Sequence, residues 1–402
     1  MKRIALLLGL AACTTATEPD VCLGGEVSDG VRVIELVLEA EAGKLPAQLR
    51  LPADASMATL PVVTQVFGGW DDALEPQSAR LGPGRSVSLR VALAGPEWGE
   101  GVSDTRGPLA RQALAAALRF ASGDAEDAAG CTLSRRAPPA DVTVQLLLGL
   151  SNGGNLVYTT LADADLELGA LDGVITWETP IGAQLVNIEH RNSAELYAPG
   201  TCDLDTGTLR CPFLLESLVV ADGALCFDLD ADGACAADEV VRTEAIDPLT
   251  GRFATSAELL ALARVAGTLP ADWDDEAESG AFWAARDAAL AVPAVVARYP
   301  DVAHLLVGSE TDHVLTGLAD HPHVYALGQR LQEAGAGWVR LNPGAAWTGL
   351  ADENAVDAPL RVGTADAWLL SEDDESPLEH ILDAAVAELT DHARARAERT
   401  SR

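Results

Sequence analysis

The sequence predicts an α/β protein with a mostly parallel sheet, helices on both faces and one long insertion. Apolar strand candidates at 60–67 and 142–148 are separated by a helical pattern at 107–121. Such alternation is typical of parallel sheets, because parallel neighbours need a crossover connection. The alternation stops near residue 179 and resumes at 302–308, which predicts an insertion between two parts of one core.

The remaining core elements follow from local periodicity. Alternating apolar and polar residues predict strands at 31–39 and 47–51, and apolar runs predict strands at 86–94, 173–178 and 338–341. Helical spacing predicts helices at 320–334 and 377–397, the second capped by Ser376 before Pro377. We therefore assign 31–178 and 300–397 to the core and 179–299 to a cap insertion after the sixth core strand.

The N-terminus has the pattern of an export signal. A basic start at residues 1–3 precedes an apolar segment at 4–10, and Leu10-Ala11-Ala12-Cys13 resembles a bacterial lipobox. This predicts a signal peptide at 1–12, a lipid on Cys13 and a tether at 13–30. The protein would then be anchored in the cell envelope, outside the cytoplasm. An ordinary secretory signal is the alternative, because small residues at the cleavage site suit both.

The composition limits the partners. The formal net charge is −34, and Lys2 and Lys44 are the only lysines. A surface this acidic repels phosphate groups, which argues against nucleic acid as a partner. The sequence has no apolar run of 18 residues, so no transmembrane helix is predicted.

The cysteine count agrees with an oxidising compartment. There are seven cysteines, and six remain if Cys13 carries a lipid. Six cysteines allow 15 pairings. Proximity in the sequence favours Cys202–Cys211 and Cys226–Cys235, which leaves Cys22–Cys131; free buried thiols are the alternative.

The pattern with the strongest functional meaning is Gly149-Leu150-Ser151-Asn152-Gly153. It follows a predicted strand and precedes a helix-compatible stretch. In that context a G-x-S-x-G pattern indicates a nucleophile elbow, a tight turn that exposes a serine hydroxyl above a sheet. The glycines are needed because the strained serine backbone leaves no room for neighbouring side chains.

Together with other motifs, the elbow resembles the α/β-hydrolase family over about residues 30–180 and 300–395. Val66-Phe67-Gly68-Gly69-Trp70 is similar to the family's oxyanion loop, with Phe67 where many members have histidine. The segment 305–314 looks like the strand that ends in Gly-x-x-x-Asp and carries the catalytic acid. The segment 102–107 resembles the loop after the fourth strand of peptidase-like members.

The resemblance implies acyl transfer. Ser151 would attack a carbonyl, and Asp312 would orient a histidine base. The backbone amide of Asn152 and one from the loop of Gly69 and Trp70 would stabilise the oxyanion. Glu310 and Glu178 are alternatives for the acid, with Asp312 preferred by its position in the motif.

The histidine base is missing from its expected position. The loop after the last strand, 341–347, contains no histidine. His313 directly follows the acid, His321 and His323 begin a helix, and His392 lies late in the last helix. His380, in the first turns of that helix, is therefore the candidate base; a solvent-exposed helix residue is the alternative.

A second chemical site is predicted in the insertion. Residues 228–239 match the D-x-D-x-D-G-x₅-E pattern of an EF-hand calcium loop. Carboxylate and carbonyl oxygens suit a hard cation, and Gly233 permits the sharp turn. The alternative is an acidic turn in an acidic protein. The predicted ligands of a structural calcium ion are Asp228, Asp230, Asp232, the carbonyl of Ala234, and Glu239.

Two functions from different classes agree with these observations. The first is a lipid-anchored, extracytoplasmic serine hydrolase, an esterase or peptidase with a small-molecule ester or peptide substrate. The second is a catalytically silent protein of the same fold that binds a ligand or partner, because the expected histidine is absent. A histidine next to Ser151 would favour the first.

Overall fold

A computed structural model describes most of the predicted core and part of the insertion. The described residues are 21–41, 43–53, 59–68, 81, 85–93, 103–138, 140–182, 218–221, 224–228, 232–234, 236, 276–308, 322–343 and 377–401.

Nine of the strands in these residues form one sheet in the order β1-β2-β3-β5-β4-β6-β7-β10-β11. The strands are β1 (Glu26–Ser28), β2 (Val31–Ala40), β3 (Gly43–Pro52), β4 (Leu60–Val66), β5 (Val87–Val91), β6 (Ala140–Leu150), β7 (Gly173–Trp177), β10 (Ala303–Val307) and β11 (Val339–Leu341). Strands β1, β2, β3 and β5 pair antiparallel in succession, and every pair from β5 to β11 is parallel.

This strand order is that of the α/β-hydrolase fold, with β1 as an additional short strand at one edge. The order of β4 and β5 in the sheet is the reverse of their order in the chain. This exchange places the end of β6 between the ends of β4 and β7, so residues that follow these three strands meet at one edge. The predicted fold class is confirmed.

The helices divide between the two faces of the sheet. They are α1 (Pro108–Ala121), α2 (Leu133–Arg136), α3 (Asn152–Ala162), α4 (Glu276–Ala284), α5 (Ala288–Arg298), α6 (Pro322–Glu333) and α7 (Pro377–Thr400). Helices α1, α3, α5 and α6 pack in one apolar cluster, and α7 packs in the other. None of the helices in the described ranges is long and apolar enough to cross a membrane.

Alternation along the central strands supplies both apolar clusters. Val62 and Leu147 point to the face of α1 and α3, whereas Val63, Leu146 and Leu148 point to the face of α7. Successive side chains of a strand point to opposite faces, so a strand covered on both sides is apolar throughout. This explains the nearly continuous apolar runs at 60–67 and 142–148.

Part of the predicted insertion belongs to the packed core. Helix α5 lies within 179–299, and its buried residues Ala288, Val292 and Val295 pack in the cluster of α3. Farther from the core in sequence, β8 (Leu218–Ala221) and β9 (Ala224–Phe227) form an antiparallel hairpin just before the predicted calcium loop.

The predicted Cys22–Cys131 disulfide is present and joins the N-terminal segment to the loop before α2. Beside it, the buried Arg136 guanidinium forms an ion pair with Asp127 at 2.7 Å, and Asp127 also accepts a hydrogen bond from the Cys131 amide. Cys226 is disulfide-bonded as well. The pairs Cys202–Cys211 and Cys226–Cys235 therefore stay predictions.

A buried polar pair crosses the core between α3 and β10. The hydroxyl of Tyr158 lies 3.2 Å from Nδ1 of His304, and both side chains are fully buried. Burial lowers the pKa of His304 to about 3, because the imidazolium would lose its hydration. His304 is therefore a neutral structural residue at physiological pH.

This pair predicts acid sensitivity of the fold. The folded-state pKa of His304 lies below that of the unfolded chain, so its contribution to stability is complete above about pH 6.5 and is lost as the pH falls toward 3. We expect His304→Gln, which cannot titrate, to reduce the loss of unfolding free energy between about pH 7.5 and about pH 4.5. Urea denaturation at the two pH values measures the unfolding free energy of each protein. The exposed His380→Gln is the control, and an equal pH dependence in wild type and His304→Gln would contradict the assignment.

Candidate active site

The serine of the predicted elbow sits in the strained turn that the pattern requires. Ser151 connects β6 to α3 with φ 51° and ψ −128°, a conformation that non-glycine residues rarely adopt. Such a residue costs on the order of 1–3 kcal/mol and persists only where its surroundings hold it. Its amide donates a 2.7 Å hydrogen bond to the carbonyl of Trp177 at the end of β7, and its carbonyl accepts one from Gly154.

Two glycines of the elbow make the turn possible. A Cβ on Gly149 would lie 2.6 Å from the Cα of Gly154, and a Cβ on Gly153 would lie 2.6 Å from the carbonyl oxygens of Val66 and Phe67. Real Cβ atoms essentially never approach another atom this closely. The elbow therefore packs backbone against backbone, with β6 and α3 closer to each other and to β4 than side chains would allow.

The loop after β4 lies directly against the serine. A Cβ on Gly68 would lie 2.7 Å from the Ser151 Cβ and 3.3 Å from its Oγ. The resemblance predicts that this loop is the oxyanion loop, and the structure brings its first glycine, Gly68, into contact with Ser151. Gly69 and Trp70, the predicted donors, lie outside the described residues.

Asn152 begins α3 immediately after the nucleophile candidate. The first N–H groups of a helix point beyond its N-terminal end, where they favour negative charge. The Asn152 side chain is buried and accepts a 3.1 Å hydrogen bond from Asn155, which also donates to the Pro180 carbonyl at 2.7 Å. Asn155 accepts in turn from the Ala288 amide at 2.9 Å. Asn155 thus fixes the start of α3 to the segment after β7 and to α5.

The three predicted members of the triad are not all described. Asp312 and its rival Glu310 lie outside the described residues, so the acid stays a prediction. Glu178, the other rival, is 1% exposed and directly follows Trp177. Its amide donates to the Val307 carbonyl at 2.9 Å, and its φ is 43°. The structure thus places the Glu178 backbone one residue from the carbonyl that holds Ser151.

The candidate base His380 is exposed and lies in the first turn of α7. Among the described residues no hydrogen bond joins a histidine to Ser151, and the role of His380 as the base stays a prediction. His304 is used in the core, His323 is 1% exposed, and the ring of His392 packs 4.9 Å from that of Trp338. His313 and His321 lie outside the described residues.

An asparagine lies in the loop in which the resemblance to α/β-hydrolases predicts a histidine. Asn342 directly follows β11, is fully buried and has φ 59°. Its amide donates to the Leu306 carbonyl at 2.7 Å, and its Oδ1 accepts from the Gly308 amide at 3.1 Å. Asn342 therefore ties the end of β11 to the end of β10, which is a structural role.

A buried turn beside the site was not recognised from the sequence as functional. Asp104 accepts hydrogen bonds from the amides of Gly107 and Leu109 and so caps α1, and Thr105 and Arg106 both have positive φ, 52° and 64°. Arg286 holds the turn by donating to the carbonyls of Thr105 at 2.6 Å and Asp104 at 2.7 Å. The Asp104-Thr105-Arg106-Gly107 sequence before a helix was the only sequence signal for this turn. The hydrogen-bond partners of Arg106 and Arg286 are distant in sequence and could not be predicted from it.

The described part of the predicted calcium loop folds around its first acid. The Asp228 carboxylate accepts hydrogen bonds from the amides of Asp232 and Gly233, both at 3.0 Å. Asp232 accepts from Ala234 at 2.7 Å, and Gly233 has φ 75°. In the part of the chain that the structure describes, no group of three potential ligands converges, and Asp230 and Glu239 lie outside that part. The turn fits the loop pattern, while the ligand set stays a prediction.

Comparison with known proteins gives no family assignment. No family model matches, and no curated protein matches. Solved structures that align include a brefeldin A esterase described as a bacterial homologue of human hormone-sensitive lipase, at TM-score 0.43 and 14% identity, covering 93% of this chain and 81% of that one. A thermostable esterase from Pseudomonas putida aligns at TM-score 0.42 and 13% identity, covering 92% and 86%. A carboxyl esterase from Tuber melanosporum aligns at TM-score 0.40 and 14% identity, covering 85% and 88%. The fold assignment rests on the strand order.

The contact between Gly68 and Ser151 predicts a selective loss of serine reactivity. In Gly68→Ala the new methyl group must displace either the loop or Ser151, so we expect the reaction of Ser151 with a fluorophosphonate to slow at least about tenfold. Gly280→Ala is the matched control, since a Cβ there meets nothing within 4 Å and α4 gains a better helix former. Equal labelling rates for both variants would contradict the packing described.

Proposed function

We propose that this chain is a serine hydrolase that cleaves an ester or peptide bond by acyl transfer through Ser151. One observation carries the proposal: Ser151 is held at a strained left-handed φ between β6 and the N-terminus of α3, with Gly68 against its side chain. In a nucleophile elbow, strain of this kind holds the serine hydroxyl exposed beside the N-terminus of the following helix.

The proposed chemistry follows from this arrangement. The Ser151 Oγ attacks the substrate carbonyl, its proton passes to a histidine, and the leaving group departs with that proton. Water then attacks the acyl-enzyme through the same steps in reverse, which releases the acid and regenerates Ser151. The developing oxyanion would be held by the Asn152 amide and by amides of Gly69 and Trp70. We retain His380 as the proposed base and Asp312 as the acid, with Glu178 as the alternative acid.

Activity-based labelling tests the proposal. A fluorophosphonate should label the wild type, and Ser151→Ala should abolish labelling. His380→Ala should slow labelling by about a hundredfold or more if it is the base, since general bases contribute on that scale. His392→Ala is the matched control, because His392 lies in the same helix as His380 and its ring packs on Trp338. Asp312→Asn and Glu178→Gln, compared in parallel, identify the acid by which of them slows the reaction more.

The labelling results distinguish the serine hydrolase from a catalytically silent protein that binds a ligand. The position of Asn342 after β11 favours the silent protein. Absence of labelling, or equal labelling of Ser151→Ala, would reject the hydrolase and support the binding protein. Labelling that needs Ser151 but not His380 would retain the hydrolase and assign the base to another histidine.

We further propose that residues 228–239 bind a structural calcium ion. The Asp228 hydrogen bonds to Asp232 and Gly233 support this, because they leave the loop closed around its first carboxylate. A chelator should lower the melting temperature of the wild type, and Asp230→Ala should abolish that response. Asp238→Ala, at a loop position that supplies no ligand, should retain it. An unchanged melting temperature in the wild type would reject the site.

We also propose that Cys13 carries a lipid and anchors the protein outside the cytoplasm. The Cys22–Cys131 disulfide supports an oxidising compartment, where such bonds persist. Metabolic labelling with a radioactive fatty acid in a bacterial host should mark the wild type and not Cys13→Ser. Incorporation into both proteins would contradict the assignment.

A further inference from the structure

Arg106 is a buried cation that contacts the loop beside Ser151. It is 1% exposed, and its Nη2 donates to the carbonyl oxygens of Phe67 at 2.9 Å and Gly68 at 3.2 Å. These are charge-assisted hydrogen bonds in a place shielded from water, where they are stronger than neutral ones. Arg106 therefore joins the turn before α1 to the loop after β4, across 39 residues of sequence.

The direction of a carbonyl determines the direction of the amide in the same peptide unit. A peptide is planar and trans, so its C=O and N–H point to opposite sides. The unit that contains the Phe67 carbonyl ends in the Gly68 amide. A guanidinium that holds this carbonyl on its own side directs the Gly68 amide away from itself.

The turn that carries Arg106 is itself held in place. Arg286 fixes the turn through the carbonyls of Asp104 and Thr105, and Asp104 caps α1. Arg106 has φ 64°, in the left-handed region. The Arg106 backbone is thus held in an unfavourable conformation whose effect is to direct its side chain to the loop after β4.

We infer that Arg106 is a positioning residue for the oxyanion site: its hydrogen bonds to the Phe67 and Gly68 carbonyls fix the Gly68 peptide beside Ser151 and so set the course of the loop that carries the proposed donors Gly69 and Trp70. The inference rests on the proposed hydrolase function. Arg106 touches neither substrate nor Ser151 in this role. Its loss affects the chemical step, whereas the affinity for the reagent before reaction is unaffected.

The test separates the reaction of Ser151 with a fluorophosphonate into a saturation constant and a maximal rate constant. We expect Arg106→Ala and Arg106→Gly to lower the maximal rate constant about tenfold to a hundredfold, with the saturation constant unchanged, since a misplaced oxyanion donor acts only on the transition state. Arg106→Lys keeps the charge and should lose less. Arg136→Ala is the control, since that buried arginine pairs with Asp127 and should affect stability but not the rate.

Chemical rescue distinguishes positioning from general support of the fold. In Arg106→Gly the left-handed backbone is retained, because glycine adopts it readily, and the side-chain volume is empty. Guanidinium added below the concentration that unfolds the protein should restore part of the rate. Tetramethylammonium, which has the charge but no N–H donor, should not.

The experiment distinguishes failure of the Arg106 inference from failure of the proposed hydrolase function. A wild type that is not labelled through Ser151 rejects the hydrolase itself. A labelled wild type with unchanged rate constants in folded Arg106→Ala overturns this inference alone. If Arg106→Ala and Arg106→Lys both fail to fold, or if the rate falls only with the folded fraction and guanidinium does not restore it, Arg106 is structural and the inference is also overturned.

Discussion

The site depends on the close packing of three glycine-containing backbone segments around Ser151. Glycines at 68, 149 and 153 allow β4, β6 and α3 to meet without intervening side chains. The Ser151 amide then reaches the Trp177 carbonyl, which fixes β7 relative to the elbow. The positive φ of Ser151 is the cost of this packing, and the position of its hydroxyl is the result.

Buried arginines stabilise the surroundings of this contact. A cation removed from water is costly unless polar groups replace its hydration. Arg106 and Arg286 donate to the main-chain carbonyls of Phe67, Gly68, Asp104, Thr105 and Phe282. Phe282 lies in α4, whereas the other four carbonyls belong to loops and gain hydrogen-bond donors that regular secondary structure would otherwise supply. The arginine N–H groups and the main-chain carbonyls thus provide each other with hydrogen-bond partners, so the edge of the sheet beside Ser151 is buried although it contains polar groups.

The sequence predicted what is encoded locally. The central strands, α1, the elbow and α7 were found because their periodicity and turn residues lie within short windows. Helix α5 was assigned to the insertion, since its alanine-rich sequence with Pro293 gives no sign that Asn155, far away in sequence, would bind its first turn. The role of Arg106 was missed for the same reason, because its partners precede it by 38 and 39 residues. The disulfide Cys22–Cys131 spans 109 residues and was predicted only by pairing the other cysteines first.

The position of that disulfide has a mechanical consequence. Cys22 precedes β1, and Cys131 lies just before α2, so the bond encloses β1 to β5 in a covalent loop. A pull on the N-terminus is passed in part from Cys22 to Cys131 through the bond, which relieves the edge strands of the sheet of that part of the load. Without the bond, the same pull would unzip β1 from β2 one hydrogen bond at a time, the direction in which a sheet resists force least. A body held by its N-terminus can therefore be pulled without losing its edge strands.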